Sequence, residues 1–207
     1  MLFRSFSKLA PTAISPQNHI INWRNRRVKE GKAPSTINNA MNLLSAVFKH
    51  AISEWGYNIT NPVSGIARIP PRPPRHVHMS PQDREILLNA CQAGPHWLLP
   101  MVRIALETAM RQGEIRAMRW ENVRDVFVHL PDTKNNTPRD VPMTFEAEQV
   151  VTELAQKAEN TAKGWVIPKP NGVSQNDISN AYRDAVSRAK ANGLSRHYTF
   201  HDLQIGR

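Results

Sequence analysis

The sequence predicts a mainly α protein with a small antiparallel β-sheet, divided into two modules. Three observations lead there. Apolar residues recur at steps of three and four over long stretches, most clearly at Ile37, Met41, Leu44, Phe48, Ala51, Ile52 and Trp55. Prolines gather at Pro62, Pro70, Pro71, Pro73 and Pro74, a density no regular helix accepts. Finally, Val126-Phe127-Val128-His129-Leu130 is a short extended run, and Asn135-Asn136 supplies the turn that would return the chain as a hairpin.

Composition narrows the partner. The 207 residues contain 27 Lys plus Arg against 17 Asp plus Glu, a formal net charge of +10, with 40% hydrophobic and 21% charged residues. Such a chain folds, and its charge favours a polyanion held through phosphate contacts and counterion release. Nucleic acid is the first candidate and an anionic membrane surface the second. No apolar run reaches the length of a membrane span, and Met1–Ala10 is too short and interrupted for a signal peptide. The lone Cys91 cannot close an internal disulfide, and no Cys/His cluster has metal-ligand spacing. The expectation is a reduced, cytoplasmic protein without metal or cofactor.

Ser15-Pro16 reads as a capped helix start, followed by Ile20, Ile21 and Trp23 on one face and the basic Arg24, Arg26, Arg27 and Lys29, until Gly31 stops the helix. Ser35-Thr36 opens the striped helix, which Gly56 ends. Its aromatics share the apolar face and are expected to pack in a core. The Pro-rich stretch carries Arg68, Arg72, Arg75, His76 and His78, giving a basic, extended connection that could follow a phosphate backbone or simply be solvated. Ser80-Pro81-Gln82-Asp83 is a near capping box that starts the second module, and a further helix is expected over about His96–Thr108. Beyond the hairpin come helical patterns at Phe145–Asn160 and from Ser174 to Gly193, separated by a buried extended piece at Trp165-Val166-Ile167. Tyr182 lies near the apolar face of the last helix and reads as structural.

Between the two expected helices flanking Gly113, the run Leu106-Glu-Thr-Ala-Met-Arg-Gln-Gly-Glu-Ile-Arg-Ala-Met-Arg-Trp120 presents Arg111 from a corner with buried neighbours. Paired with Glu107 or Glu114, Arg111 could be no more than a helix-end arginine. Two later elements follow in order. Thr133-Lys134-Asn135 with Arg139-Asp140-Val141-Pro142 puts a lysine beside the hairpin turn, and Thr199-Phe200-His201-Asp202-Leu203 lies near the C-terminal end. Alone, Lys134 could be solvated and His201 a packed structural histidine.

Together the three resemble, in order, the first arginine motif, the hairpin lysine element and the His-x-Leu-Arg box of tyrosine recombinases and phage integrases. Ala109 stands where the first motif usually has glycine. Residues from Ser35 through Glu54-Trp55-Gly56 and Asn61-Pro62-Val63 resemble part of an integrase core-binding domain. The resemblance implies a partial helical core-binding domain at 1–64, a Pro/Arg-rich linker at 65–79 and a catalytic domain at 80–207. It also implies duplex DNA as partner, association of copies on DNA, and Arg111, Lys134 and His201 as catalytic groups. In that chemistry guanidiniums offer paired charged donors to a phosphorane, and the hairpin lysine acts as general acid. Arg24, Arg27, Lys29, Arg68, Arg72, Arg75 and Arg139 are the expected DNA-contacting cations.

The match departs from the family at both ends. Its first helix would lie upstream of Ser15, and the second catalytic arginine is replaced by Gln204, with an expected loss of roughly two to three orders of magnitude. The family's tyrosine nucleophile follows the His-x-Leu-Arg box, whereas Tyr57, Tyr182 and Tyr198 all precede it. The expectation is therefore a recombinase truncated at both ends that binds DNA without completing strand cleavage. A non-catalytic protein occupying a recombination site, and a helical RNA- or protein-interaction module, are the competing readings.

Overall fold

A computed structural model describes residues 10, 13–73, 77–131, 137–158, 164–167 and 175–204. The chain forms two units, divided between Arg75 and His76.

In the first unit, the Ser15 hydroxyl accepts from the Asn18 N–H at 3.1 Å, capping a π-helical turn, Pro16–Ile21, that runs directly into α1 (Asn22–Lys29). After Gly31 the chain turns into α2 (Pro34–Ser53), which packs Ile37, Met41, Leu44 and Phe48 with Ile20, Trp23 and Val63 and also buries Ala51. Two members of the expected stripe fall outside this core: Ile52 is 38% exposed and Trp55 is 61% exposed. The helix ends at Ser53, so Trp55 leaves the helical register and packs its ring edge against His50 instead.

The segment after α2 is folded back by its polar side chains. Buried Asn61 donates to the carbonyl and hydroxyl of Ser45 and accepts from the Val63 N–H, so it replaces backbone pairing where Pro62 interrupts it. Asn38 exchanges two hydrogen bonds with the backbone of Ile69, Arg24 donates to the Ala67 carbonyl, and Ile66 and Ile69 pack on the core. The start of the expected linker is thus part of the first unit, and its far end, at Val77 and Met79, packs into the second.

The second unit is built around α4 (Leu98–Thr108), whose Leu98, Met101, Val102, Ile104 and Ala105 are all buried. It packs against α3 (Pro81–Gln92), α6 (Phe145–Lys157) and α7 (Gln175–Ala191). The short α5 (Gln112–Ala117) follows α4, and a 3₁₀ turn at Trp120–Asn122 leads into the sheet. Strands β1 (Phe127–Leu130) and β2 (Arg139–Pro142) pair antiparallel, with Phe127 opposite Pro142 and Leu130 opposite Arg139. Val128, Leu130 and Val141 are buried, which places one face of the hairpin on the core. A 3₁₀ turn, Phe200–Gln204, packs against α4. No helix among the described residues is long and apolar enough to cross a membrane.

Candidate functional site

The site begins where α4 stops. Ala109 adopts φ 53° and ψ 21°, the left-handed conformation that ends a helix and that glycine adopts more easily. Its N–H still bonds to the Ala105 carbonyl, while the Thr108 hydroxyl donates to the Ile104 carbonyl at 2.6 Å. Met110 is then driven fully into the core, and Arg111, in extended backbone, becomes the N-cap of α5. Buried residues on both sides of Arg111 therefore fix the direction in which its side chain leaves.

Glu114 completes the corner. One carboxylate oxygen accepts from the Arg111 N–H at 2.8 Å and from Arg139 on β2 at 2.8 Å, and the other accepts from the Arg111 guanidinium at 2.9 Å. Burial opposes ionisation of Glu114, but the hydrogen bonds from the Arg111 backbone and side chain, with the charge and hydrogen bond of Arg139, outweigh it and hold the carboxyl below its ordinary pKa. The glutamate side chain is 7% exposed, whereas those of Arg111 and Arg139 are 48% and 45% exposed. Two guanidiniums are thus oriented by one buried anion and still face solvent.

Of the two glutamates considered as partners of Arg111, Glu114 takes that role. Glu107 is also buried, but it pairs with Arg84 of α3 and accepts from the Thr144 hydroxyl at 2.8 Å at the start of α6. It ties α3, α4 and α6 together beneath the corner.

Gln204 reaches the same junction. Its side-chain amide donates to the carbonyl of Met110, the residue before Arg111, at 2.9 Å. His201 is exposed on the same turn, between buried Phe200 and Leu203. Asp202 shapes the start of that turn by accepting from the N–H and hydroxyl of Thr199, both at 2.7 Å. Lys134 and Arg75 lie outside the described residues. The strands on either side of Lys134 are paired as a hairpin.

The remaining expected DNA-contacting cations belong to the first unit. Arg24 is held by the Ala67 carbonyl and Asn25, and Arg27 pairs with Glu30 at 2.7 Å and lies over the Trp23 ring. Arg68 donates to Asn42, and Lys29 and Arg72 are exposed. Neither tyrosine of the second unit is offered to solvent: Tyr182 is 5% and Tyr198 1% exposed. Cys91 is buried too, and burial pushes its thiol up to about 12, leaving it inert as a nucleophile. No cluster of His, Cys, Asp or Glu among the described residues could hold a metal ion.

Two features escaped the sequence reading. Arg119 stacks over the Trp165 ring with its guanidinium carbon 4.5 Å from the ring centroid, across an isolated bridge that joins these two residues. Asp83, read as part of a near capping box, keeps its N–H on the Ser80 hydroxyl, but its carboxylate also binds Ser195 and Tyr198. Periodicity carries no signal for either, because both join residues far apart in sequence.

Comparison with known proteins matches residues 78–204 to the phage integrase family and residues 10–70 to the phage integrase N-terminal domain. The shufflon-specific DNA recombinase of Escherichia coli is 31% identical over 172 residues, covering 82% of this chain and 42% of the relative. The integrase of Escherichia phage lambda is 25% identical over 189 residues, covering 87% of this chain and 51% of the phage protein. The chain thus spans about half the length of these curated relatives. Among solved structures, a lambda integrase (75–356) dimer bound to a COC′ core site aligns with TM-score 0.77 at 20% identity, over 98% of this chain and 77% of that one. The Tn1549 transposon integrase in complex with circular intermediate DNA aligns with TM-score 0.73 at 18% identity, covering 98% and 74%. The ordered motifs, the helical fold with its small hairpin and the family match over most of the second unit agree, and the chain belongs to the tyrosine recombinase, or phage integrase, family.

Proposed function

We propose that this chain binds duplex DNA at a recombination site, acting in the cytoplasm as the core-binding and partial catalytic portion of a site-specific recombinase. The observation that carries this reading is the convergence of Arg111 and Arg139 on buried Glu114, with both guanidiniums still exposed. A planar guanidinium held at one edge by a carboxylate keeps its other N–H groups for a phosphate oxygen. Arg111 would be the transition-state donor of the family's chemistry. Lys134 would be the proton donor to the leaving oxygen, and His201 a further donor.

Gln204 keeps a hydrogen-bond donor at the second arginine position but brings no charge. Tyr182 and Tyr198 are buried, so the site would hold a scissile phosphate without either of them serving as its nucleophile. The basic cations of the first unit, Arg24, Arg27, Lys29, Arg68 and Arg72, with Arg75, would supply phosphate contacts, which fix position without reading sequence. Copies are expected to associate on DNA, since the structural relatives include DNA-bound integrase dimers and a tetramer on a Holliday junction.

The test is incubation of the chain with attachment-site duplex bearing a phosphorothiolate at the cleavage point, across a salt series, with RNA duplex at matched salt as control. Retardation of DNA that weakens steeply with salt, without a covalent adduct, supports the proposal. An adduct on Tyr182 or Tyr198 overturns their exclusion as nucleophiles, and equal retention of RNA overturns the DNA assignment.

A further inference from the structure

We propose that Asp83 is a positioning residue for the turn that carries His201 and Gln204. The functional weight of that turn rests on the reading given above; the tie itself is a matter of geometry. Asp83 is the third residue of α3, and its N–H bonds to the Ser80 hydroxyl at 3.0 Å as a helix start requires. In an ordinary capping box its carboxylate would return to the backbone of the cap. Instead the carboxylate, in a residue 4% exposed, accepts from the Ser195 N–H at 3.0 Å, from the Ser195 hydroxyl and from the Tyr198 hydroxyl at 2.6 Å.

A buried carboxylate is tolerable only when its oxygens are satisfied, and most of its donors come from the segment that enters the His201 turn. Burial works against its ionisation, yet the Ser195, Tyr198 and Ser80 hydrogen bonds keep its pKa below the ordinary value, so all of its partners donate. Tyr198 is 1% exposed and fixed at its hydroxyl end, and three residues further on stands His201. At the far end of the turn, Gln204 is bonded to the Met110 carbonyl. The segment is therefore pinned twice, by an anion on α3 before His201 and by the Arg111 corner after it. The His201 side chain is exposed, so its direction follows from how the turn that carries it is held.

The experiment compares the full chain with Asp83→Asn and with Tyr198→Phe, which removes one donor and leaves the carboxylate in place. Amide exchange and the His201 imidazole resonances are followed in the absence of DNA, so a chain that fails to bind DNA still gives an answer. The expected result for Asp83→Asn is exchange about tenfold faster over residues 196–204, the scale of one lost hydrogen bond to a charged group. The His201 ring signals shift, while amides of α4 keep their protection. Tyr198→Phe should shift the same signals less. Faster exchange spread equally over α4 would mean that Asp83 merely supports the whole unit and would overturn the proposal. Unchanged His201 signals in Tyr198→Phe would overturn it as well, even if Asp83→Asn proved unable to fold.

Discussion

Arg111 and Gln204 meet at one junction and are held there by opposite means. The arginine is gripped by a buried carboxylate on its own short helix and leaves half its side chain in water. The glutamine turns inward and gives its amide to the Met110 carbonyl, one residue before Arg111. At the first position the backbone is arranged so that a charge can face outward; at the second, the approach to the junction survives and the charge does not. Geometry and chemistry therefore separate here: the fold brings residue 204 to the Arg111 corner, where the proposed function would call for a second phosphate donor.

The difference can be broken most severely with acid. Asp83 and Glu114 are both held below their ordinary pKa values by hydrogen bonds that outweigh burial. A lowered folded pKa contributes stability that is fully present above the unfolded value, about 4 for these carboxyls, and is lost as pH falls through the folded values. Urea midpoints of the second unit should therefore be flat from pH 7 to about 5 and fall below about pH 4. A chain that kept its midpoint down to pH 3 would show that these carboxylates add nothing to the folded state.

Glu114→Ala attacks the Arg111 side alone. It strips the Arg111 N–H and two guanidiniums of their common acceptor. The arginines are half exposed and can turn to water, so the loss should be about 2 kcal/mol, well short of that for a sealed ion pair. Chemical denaturation measures it, and a change under 0.5 kcal/mol, the ordinary scale of a surface substitution, would mean that the corner is set by Ala109 and Met110 without the carboxylate.

These effects also show why one half of the junction was legible in the sequence and the other was not. The Arg111 corner is local: a helix end, a left-handed residue, an N-cap and a glutamate three residues on all lie within one short run, although the turn falls at Ala109 and Gly113, the expected turn residue, lies inside α5. The core of α2 was legible for the same reason as far as Ala51; Trp55 fell outside it because the helix stopped at Ser53, whereas Ile52, still helical, lies at the solvent edge of the stripe. Asp83 with Tyr198, Glu107 with Arg84 and Gln204 with Met110 each depend on which segments the fold brings together. A buried carboxylate looks the same in sequence as a capping one, and only its distant donors distinguish them.

Gln204→Arg sharpens the comparison by returning the charge. The substitution forfeits the bond to the Met110 carbonyl, but a guanidinium at this junction gains a phosphate when DNA is present. Duplex affinity should rise at low salt, and the slope of log affinity against log salt should steepen by about 1, the value for one further phosphate contact. An unchanged slope would place residue 204 out of reach of the backbone, leaving its hydrogen bond to Met110 as its whole role.

The smallest change tests the corner's foundation. Ala109 holds φ 53°, a conformation that disfavours an L-residue by roughly 1–2 kcal/mol. Ala109→Gly relieves that strain but lets the unfolded chain roam more widely, a loss of roughly 0.5–1 kcal/mol. The net gain should be small, about 0.5–1 kcal/mol, read as a higher urea midpoint with an unchanged slope. Because the backbone stays in place, salt-dependent DNA binding should not move. If stability rose while binding weakened, the alanine methyl would be helping to aim Arg111, and the left-handed residue would belong to the site as well as to the helix end.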